Sequence, residues 1–244
     1  MFQIPESEKQ NIIDKLGKWG IAVSPDGMID YVDAVLPEIK CKSIHLIRHC
    51  ETVAVARHEF MSDTSNNIGF TEQGLEIMRQ QAASVDAYHF DVALVGPIER
   101  VVKTKDVIMQ TPQSFPCVSL PCLHGIDNTG WEYKKVLELE NDPIFIEREL
   151  RNNVFARTPN GSSWGTVIAN CVDVIDEINR NYVGKRILLI SQGSVLRGLQ
   201  ILLRTRQHPW DEYTVRGMYH VGKTEVKKNY GVLSQVYEEK AENA

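Results

Sequence analysis

Apolar positions along this chain follow two rhythms, and the alternation between them predicts its elements. Short, mainly apolar runs at residues 43 to 47, 92 to 95, 118 to 120 and 187 to 190 read as strands of a sheet covered on both faces. Between them, apolar residues recur every three to four positions over 71 to about 84, 98 to 109, 164 to 179 and 195 to 203, the spacing of helices with one buried stripe. Thr71 is the expected N-cap of the first of these. Residues 6 to about 19 carry the same stripe in Ile12, Ile13, Leu16 and Trp19. Ser24-Pro25-Asp26-Gly27 then marks a turn, and residues 31 to 36 predict a second short element before Pro37. A polar loop through Asn66-Asn67 and a connection rich in proline (Pro112, Pro116, Pro121) complete the joins.

Strands alternating with helices predict an α/β fold with three layers, α/β/α, in which a mainly parallel sheet lies between helices. This domain spans residues 41 to 244, with an N-terminal helical extension over residues 1 to 40. The extension suits a cap, a lid or a dimer contact, so a homodimer is among the arrangements it allows. In the final stretch, Met218, Tyr219, Tyr230 and Tyr237 read as core and edge-strand packing, and Lys223, Lys227 and Lys228 as a solvated face.

Composition narrows the class more than the chemistry. The 244 residues are 43% hydrophobic and 24% charged, with a formal net charge of -5, which fits one globular domain with a large core. No global positive field invites nucleic acid, so an anion site has to be local. The five cysteines, Cys41, Cys50, Cys117, Cys122 and Cys171, show neither CxxC spacing nor a zinc-like pairing with histidine. They read as reduced thiols of a cytoplasmic protein. The N-terminal Glu6-Ser7-Glu8-Lys9-Gln10 is polar where a signal peptide is apolar, and no run reaches the roughly 18 apolar residues of a membrane span. No membrane partner is expected.

The chemistry gathers at strand ends. Ligands of parallel sheets collect at the carboxyl edge, where the chain has Arg48-His49, Gly96-Pro97-Ile98-Glu99-Arg100 and Gln192-Gly193. An imidazole beside fixed guanidinium groups suits phosphoryl transfer, because guanidinium forks match phosphate geometry and the transferring group needs fixed donors.

At these positions the chain resembles the histidine phosphatase superfamily, the phosphoglycerate-mutase-like proteins. Their Arg-His-Gly-Glu-Thr appears as Arg48-His49-Cys50-Glu51-Thr52, and their Leu-Thr-x-x-Gly as Phe70-Thr71-Glu72-Gln73-Gly74. Ser-Pro-Leu-x-Arg-Ala-x-x-Thr appears as Gly96-Pro97-Ile98-Glu99-Arg100-Val101-Val102-Lys103-Thr104, and Val-Ser-His-Gly as Ile190-Ser191-Gln192-Gly193. The resemblance implies that His49 is a nucleophile forming a phosphohistidine and that Arg48 and Arg100 clamp the phosphate. Thr52 and Gln192 are further phosphate contacts on this reading. Arg57 and His58, in the loop where relatives select substrate, suit a second anionic group. No metal or organic cofactor is implied, and the expected partner is a small phosphorylated or anionic metabolite.

Four departures surround the same pocket. Gln192 stands for a histidine, Cys50 for a glycine, Val55 for an asparagine, and Gly125 for the acid that protonates the leaving group. Losing a general acid lowers rates by about 10² to 10⁴-fold, and losing a charge-assisted contact costs roughly 1.5 to 3 kcal/mol. Ordinary phosphomonoester hydrolysis is therefore expected to be weak, or replaced by chemistry whose leaving group needs no proton. Two alternatives stay open. One is an active phosphomonoesterase or mutase with its acid relocated to Asp127 or Glu132, with His124 in the same loop. The other is a pseudoenzyme that regulates or scaffolds through residues 1 to 40. Cys50 is better read as a small buried space-filler than as a substitute nucleophile.

Overall fold

The computed structural model describes residues 4–33, 36–63, 69–109, 115–204, 231 and 233–239. The chain begins with helix α1 (Glu6–Gly17) and a hairpin of β1 (Ile21–Val23) and β2 (Ile29–Tyr31). The second short element predicted at 31 to 36 thus starts two residues earlier, and it pairs antiparallel with a strand that the hydrophobic pattern alone does not separate from the preceding helix. Of that predicted stretch, residues 34 and 35 lie outside the described residues, as do Asn66, Asn67, Pro112, Met218, Tyr219, Lys223, Lys227, Lys228 and Tyr230.

The central sheet follows as predicted, with β3 (Ser43–Arg48), β4 (Val92–Val95), β5 (Cys117–Ser119), β6 (Arg186–Ser191) and β7 (Leu233–Glu238). Its order is β5-β4-β6-β3-β7. The first four run parallel, and β7 closes the edge antiparallel to β3. Alternate residues feed two cores, as the pleat requires. Ile44, Leu46, Val92, Leu94, Ile187 and Leu189 enter one, while Ile47, Ala93, Val95, Leu188 and Ile190 enter the other. Both faces are therefore covered, which makes this a three-layer α/β/α arrangement.

One layer is α6 (Trp164–Asn181) with α7 (Gly193–Leu202), and the other α3 (Glu72–Ala87) with α4 (Glu99–Ile108). The α6 start is fixed by Ser163, whose hydroxyl accepts the Thr166 N–H at 3.1 Å. Thr71 caps α3 in the predicted way, accepting the Gly74 N–H at 2.9 Å. The N-terminal helix packs on α6: Ile12 and Leu16 are fully buried in the first core, and Lys15 reaches Asp173 at 2.6 Å. Tyr237 of β7 packs against the same core.

The connection from β5 to α6 is largely irregular, and it shapes the site. Short helical turns, Val136–Leu139, α5 (Pro143–Phe145) and the π turn Ile146–Leu150, hold a satellite cluster of Phe60, Trp131, Leu139 and Phe145. Beneath it the buried Arg148 guanidinium lies 4.4 Å from the Trp131 ring centre and donates to Glu149 at 2.7 Å and Asn128 at 2.6 Å. Asn128 in turn donates to the Met61 carbonyl at 3.2 Å. This chain of bonds ties the connection to the Met61-Ser62-Asp63 segment that hangs over the strand ends. Among the described residues no helix is long and apolar enough to cross a membrane.

Candidate active site

Strand β3 runs straight into the site because its backbone ladder continues one residue past its end. The His49 N–H donates to the Ser191 carbonyl of β6 at 2.8 Å. The Cys50 N–H donates to Thr104 Oγ1 at 2.9 Å, and that hydroxyl donates to the Arg100 carbonyl at 2.7 Å. The end of β3 and the first turns of α4 are thereby joined at the point where Arg100 leaves its helix.

His49 is 3% exposed. Its Nδ1 lies 2.8 Å from the Cys50 carbonyl. A carbonyl only accepts, so Nδ1 carries the ring proton and Nε2 keeps its lone pair. Burial, then the charges of Arg100 and Arg48, hold the imidazole well below its ordinary value of 6.5. Burial and the two neighbouring cations thus favour the neutral ring. Arg48 lies along the start of α7, where a Cβ on Gly193 would come within 2.8 Å of its Nε. Arg100 is held by the Ser62 carbonyl, to which Nη1 donates at 3.0 Å.

The group that joins these parts is Asp63, which the sequence motifs leave unmarked. Its carboxylate is 3.8 Å from Arg100 Nη2 and 3.0 Å from His124 Nε2, and it accepts from Gln192 Nε2 at 3.4 Å. Burial raises its carboxyl above the usual range, and Asp127 adds to this, while His124 and Arg100 pull the other way. No local signal could have found Asp63: it sits in an irregular loop and matches none of the family patterns.

The positions of the departures are coupled. A Cβ on Gly125 would collide with the Gln192 side chain and come 2.5 Å from Ser194 Oγ. Gln192 thus fills the room an acid at 125 would need, and its amide is turned to Asp63. Cys50 is fully buried, and burial together with Glu51 pushes its thiol up to about 12, which disfavours the thiolate. It packs where Gly74 leaves room, since a Cβ there would lie 2.9 Å from the sulfur.

The other predicted residues are placed as follows. Thr52 is fully buried; its hydroxyl caps α2 (Val53–Ala56) and faces Met61 Sδ at 3.3 Å. Val55 packs in a small cluster with Ala54 and Met61. Arg57 and His58 are exposed in the turn after α2, and no described hydrogen bond or ion pair joins their side chains to the arginine cradle. Asp127 Oδ1 accepts from the backbone N–H groups of Asp63 and Thr129, both at 3.1 Å, and from the Thr129 hydroxyl at 2.9 Å. Glu132 folds back on its own loop, accepting the Gly130 N–H at 2.7 Å. Both carboxylates organise the loop that carries them.

A buried imidazole thus lies beside two arginines at the carboxyl edge of the parallel strands. The chain belongs to the histidine phosphatase superfamily (branch 1), whose sequence profile matches residues 44–236. No curated protein matches it in sequence. Among solved structures it is similar to the alpha-ribazole phosphatase from Shigella flexneri, at 21% identity over 72% of this chain and 83% of that one, with a TM-score of 0.56. It is also similar to phosphoserine phosphatase from Entamoeba histolytica in complex with 3-phosphoglyceric acid, at 18% identity over 74% and 84% of the two chains, TM-score 0.58. A mutant of the same enzyme, in complex with phosphoserine, gives 18% identity over 81% and 95%, TM-score 0.59.

Proposed function

We propose that this protein transfers the phosphoryl group of a small phosphorylated metabolite through His49. Supporting this most directly is the tautomer: the Cys50 carbonyl holds the proton on Nδ1, so Nε2 has a lone pair at any pH near neutrality. On this reading Arg48 and Arg100 take the phosphoryl oxygens, and Nε2 attacks phosphorus in line with the departing oxygen. The similar structures that hold phosphoserine and 3-phosphoglyceric acid support a small phosphorylated ligand. Arg57 and His58 suit a second anionic group on it.

With Gly125 at the place of the acid, turnover of a monoester with a poor leaving group depends on a proton from elsewhere. Asp127 and Glu132 are poorer sources, because one oxygen of each already accepts backbone N–H groups of the loop. The retained cradle speaks against a purely scaffolding role, since a histidine buried beside two arginines is an unfavourable arrangement for structure alone. The test is turnover on a panel of alkyl, aryl and acyl phosphates. His49→Ala should abolish whatever activity the panel reveals; wild-type rates in that variant would contradict the proposal.

A further inference from the structure

Three buried or half-buried groups converge on one another outside the motifs that define the site: Asp63, His124 and the Gln192 amide. We propose that Asp63 is the catalytic acid and base of this enzyme, with His124 as the positioning residue that exchanges its proton with solvent and Gln192 as the hydrogen-bond donor that orients it. The inference rests on His49 being the phosphoryl acceptor, and it names the proton source that this reaction otherwise lacks.

Geometry distinguishes the roles. One carboxylate oxygen, Oδ1, faces Arg100 at 3.8 Å and Gln192 at 3.4 Å, which sets it at the phosphate clamp. The other, Oδ2, faces His124 Nε2 at 3.0 Å. The Asp63 side chain is 15% exposed and that of His124 34%, so His124 is the solvent side of the pair. His124 Nδ1 meets the Gly125 carbonyl at 3.2 Å. Nε2 is the nitrogen that faces the carboxylate, so a proton passing between the ring and Asp63 would travel along this contact to Oδ2. Glycine at 125 is part of the device: with no side chain there, Gln192 can reach across to Asp63.

Asp63 sets its carboxylate against Arg100, the same guanidinium that the phosphate would meet. An arriving phosphate dianion brings like charge to that carboxylate, which favours its neutral form. Substrate binding thereby loads the acid. Burial and Asp127 already act in the same direction, against Arg100 and His124.

The chemistry balances. The His49 Nε2 lone pair forms a bond to phosphorus; the phosphorus–oxygen bond to the leaving group breaks, and the departing oxygen takes the proton from Asp63. Water then attacks the phosphohistidine, giving its proton to the Asp63 carboxylate. The phosphorus–nitrogen bond breaks with its electron pair returning to Nε2, and phosphate leaves.

The test compares wild type, Asp63→Asn and His124→Gln on glycerol phosphate and on p-nitrophenyl phosphate, whose leaving group needs no proton. Asp63→Asn is expected to lower kcat/KM by about 10² to 10⁴-fold on glycerol phosphate and far less on the aryl ester. Its phosphohistidine should persist, because the base for the second step is also gone, and the aryl ester should show a burst of about one nitrophenolate per enzyme. In the wild type, kcat/KM on glycerol phosphate should fall as pH rises and Asp63 ionises; Asp63→Asn should lose that limb. His124→Gln keeps a donor to Oδ2 but cannot exchange a proton, so it should keep KM and lose kcat. An equal loss on both esters, or an unchanged pH profile in Asp63→Asn, would overturn the relay while leaving His49 in place. Absence of phosphohistidine from wild type would overturn both.

Discussion

Gly125 and Gln192 answer each other across the site. Read singly, each is a position where the chain differs from the family pattern; in space, one is the condition for the other. Gly125→Ala is the smallest probe of this coupling: its methyl meets Gln192 and Ser194, and overpacking of this kind costs about 1–3 kcal/mol. Urea unfolding should show that loss, and Gln192→Ala should recover part of it in a double-mutant cycle. Additive effects would show that the two positions are independent. At this scale the motif residues are legible in the sequence, because a strand end and a helix start fix where Arg48, His49 and Arg100 point. Asp63 is not, since bonds between residues far apart in the chain, from Asn128 to Met61, from the Asp63 N–H to Asp127 and from Arg100 to Ser62, bring its loop over Arg100. Thr52 lies inside a motif, and its hydroxyl caps a helix.

The elements follow the hydrophobic pattern wherever both faces of a strand or one face of a helix are buried. Strands β3, β4 and β6 are largely apolar on both faces for that reason, and α6 shows a wide stripe because it meets the sheet and α1 together. The β1–β2 hairpin escapes a reading by pattern because strands of three residues show no period of their own. Residues 1 to 40 read from sequence as an extension that could cap the domain, and α1 contributes fully buried side chains to the main core. Leu16→Ala should therefore cost about 2–5 kcal/mol, measurable by urea unfolding. A loss below about 0.5 kcal/mol, the size of a surface substitution, would contradict the packing of α1 on α6.

Over the whole molecule, the parallel sheet brings three distant strand ends to one edge and there buries a histidine between cations. Burying that histidine makes stability depend on pH. The unfolded His49 takes up a proton near pH 6.5, whereas the folded one resists it to well below that value. Its contribution is therefore present above pH 6.5 and is lost as pH falls toward the folded value, at up to about 1.4 kcal/mol per pH unit. His45, buried against Tyr88 and Phe90, has the same sign. Melting temperature should fall between pH 7 and pH 5, and less steeply in His49→Asn; equal slopes would show that His49 is not held neutral by the fold.

The most direct measurement is acid-labile phosphoryl trapping: rapid mixing with a radiolabelled phosphomonoester or acetyl phosphate, denaturation in base, and peptide mapping. A histidine nucleophile predicts up to one phosphoryl group per chain, on His49, stable in base and lost in acid. A phosphoryl group on another side chain, or turnover with none bound at His49, would contradict it.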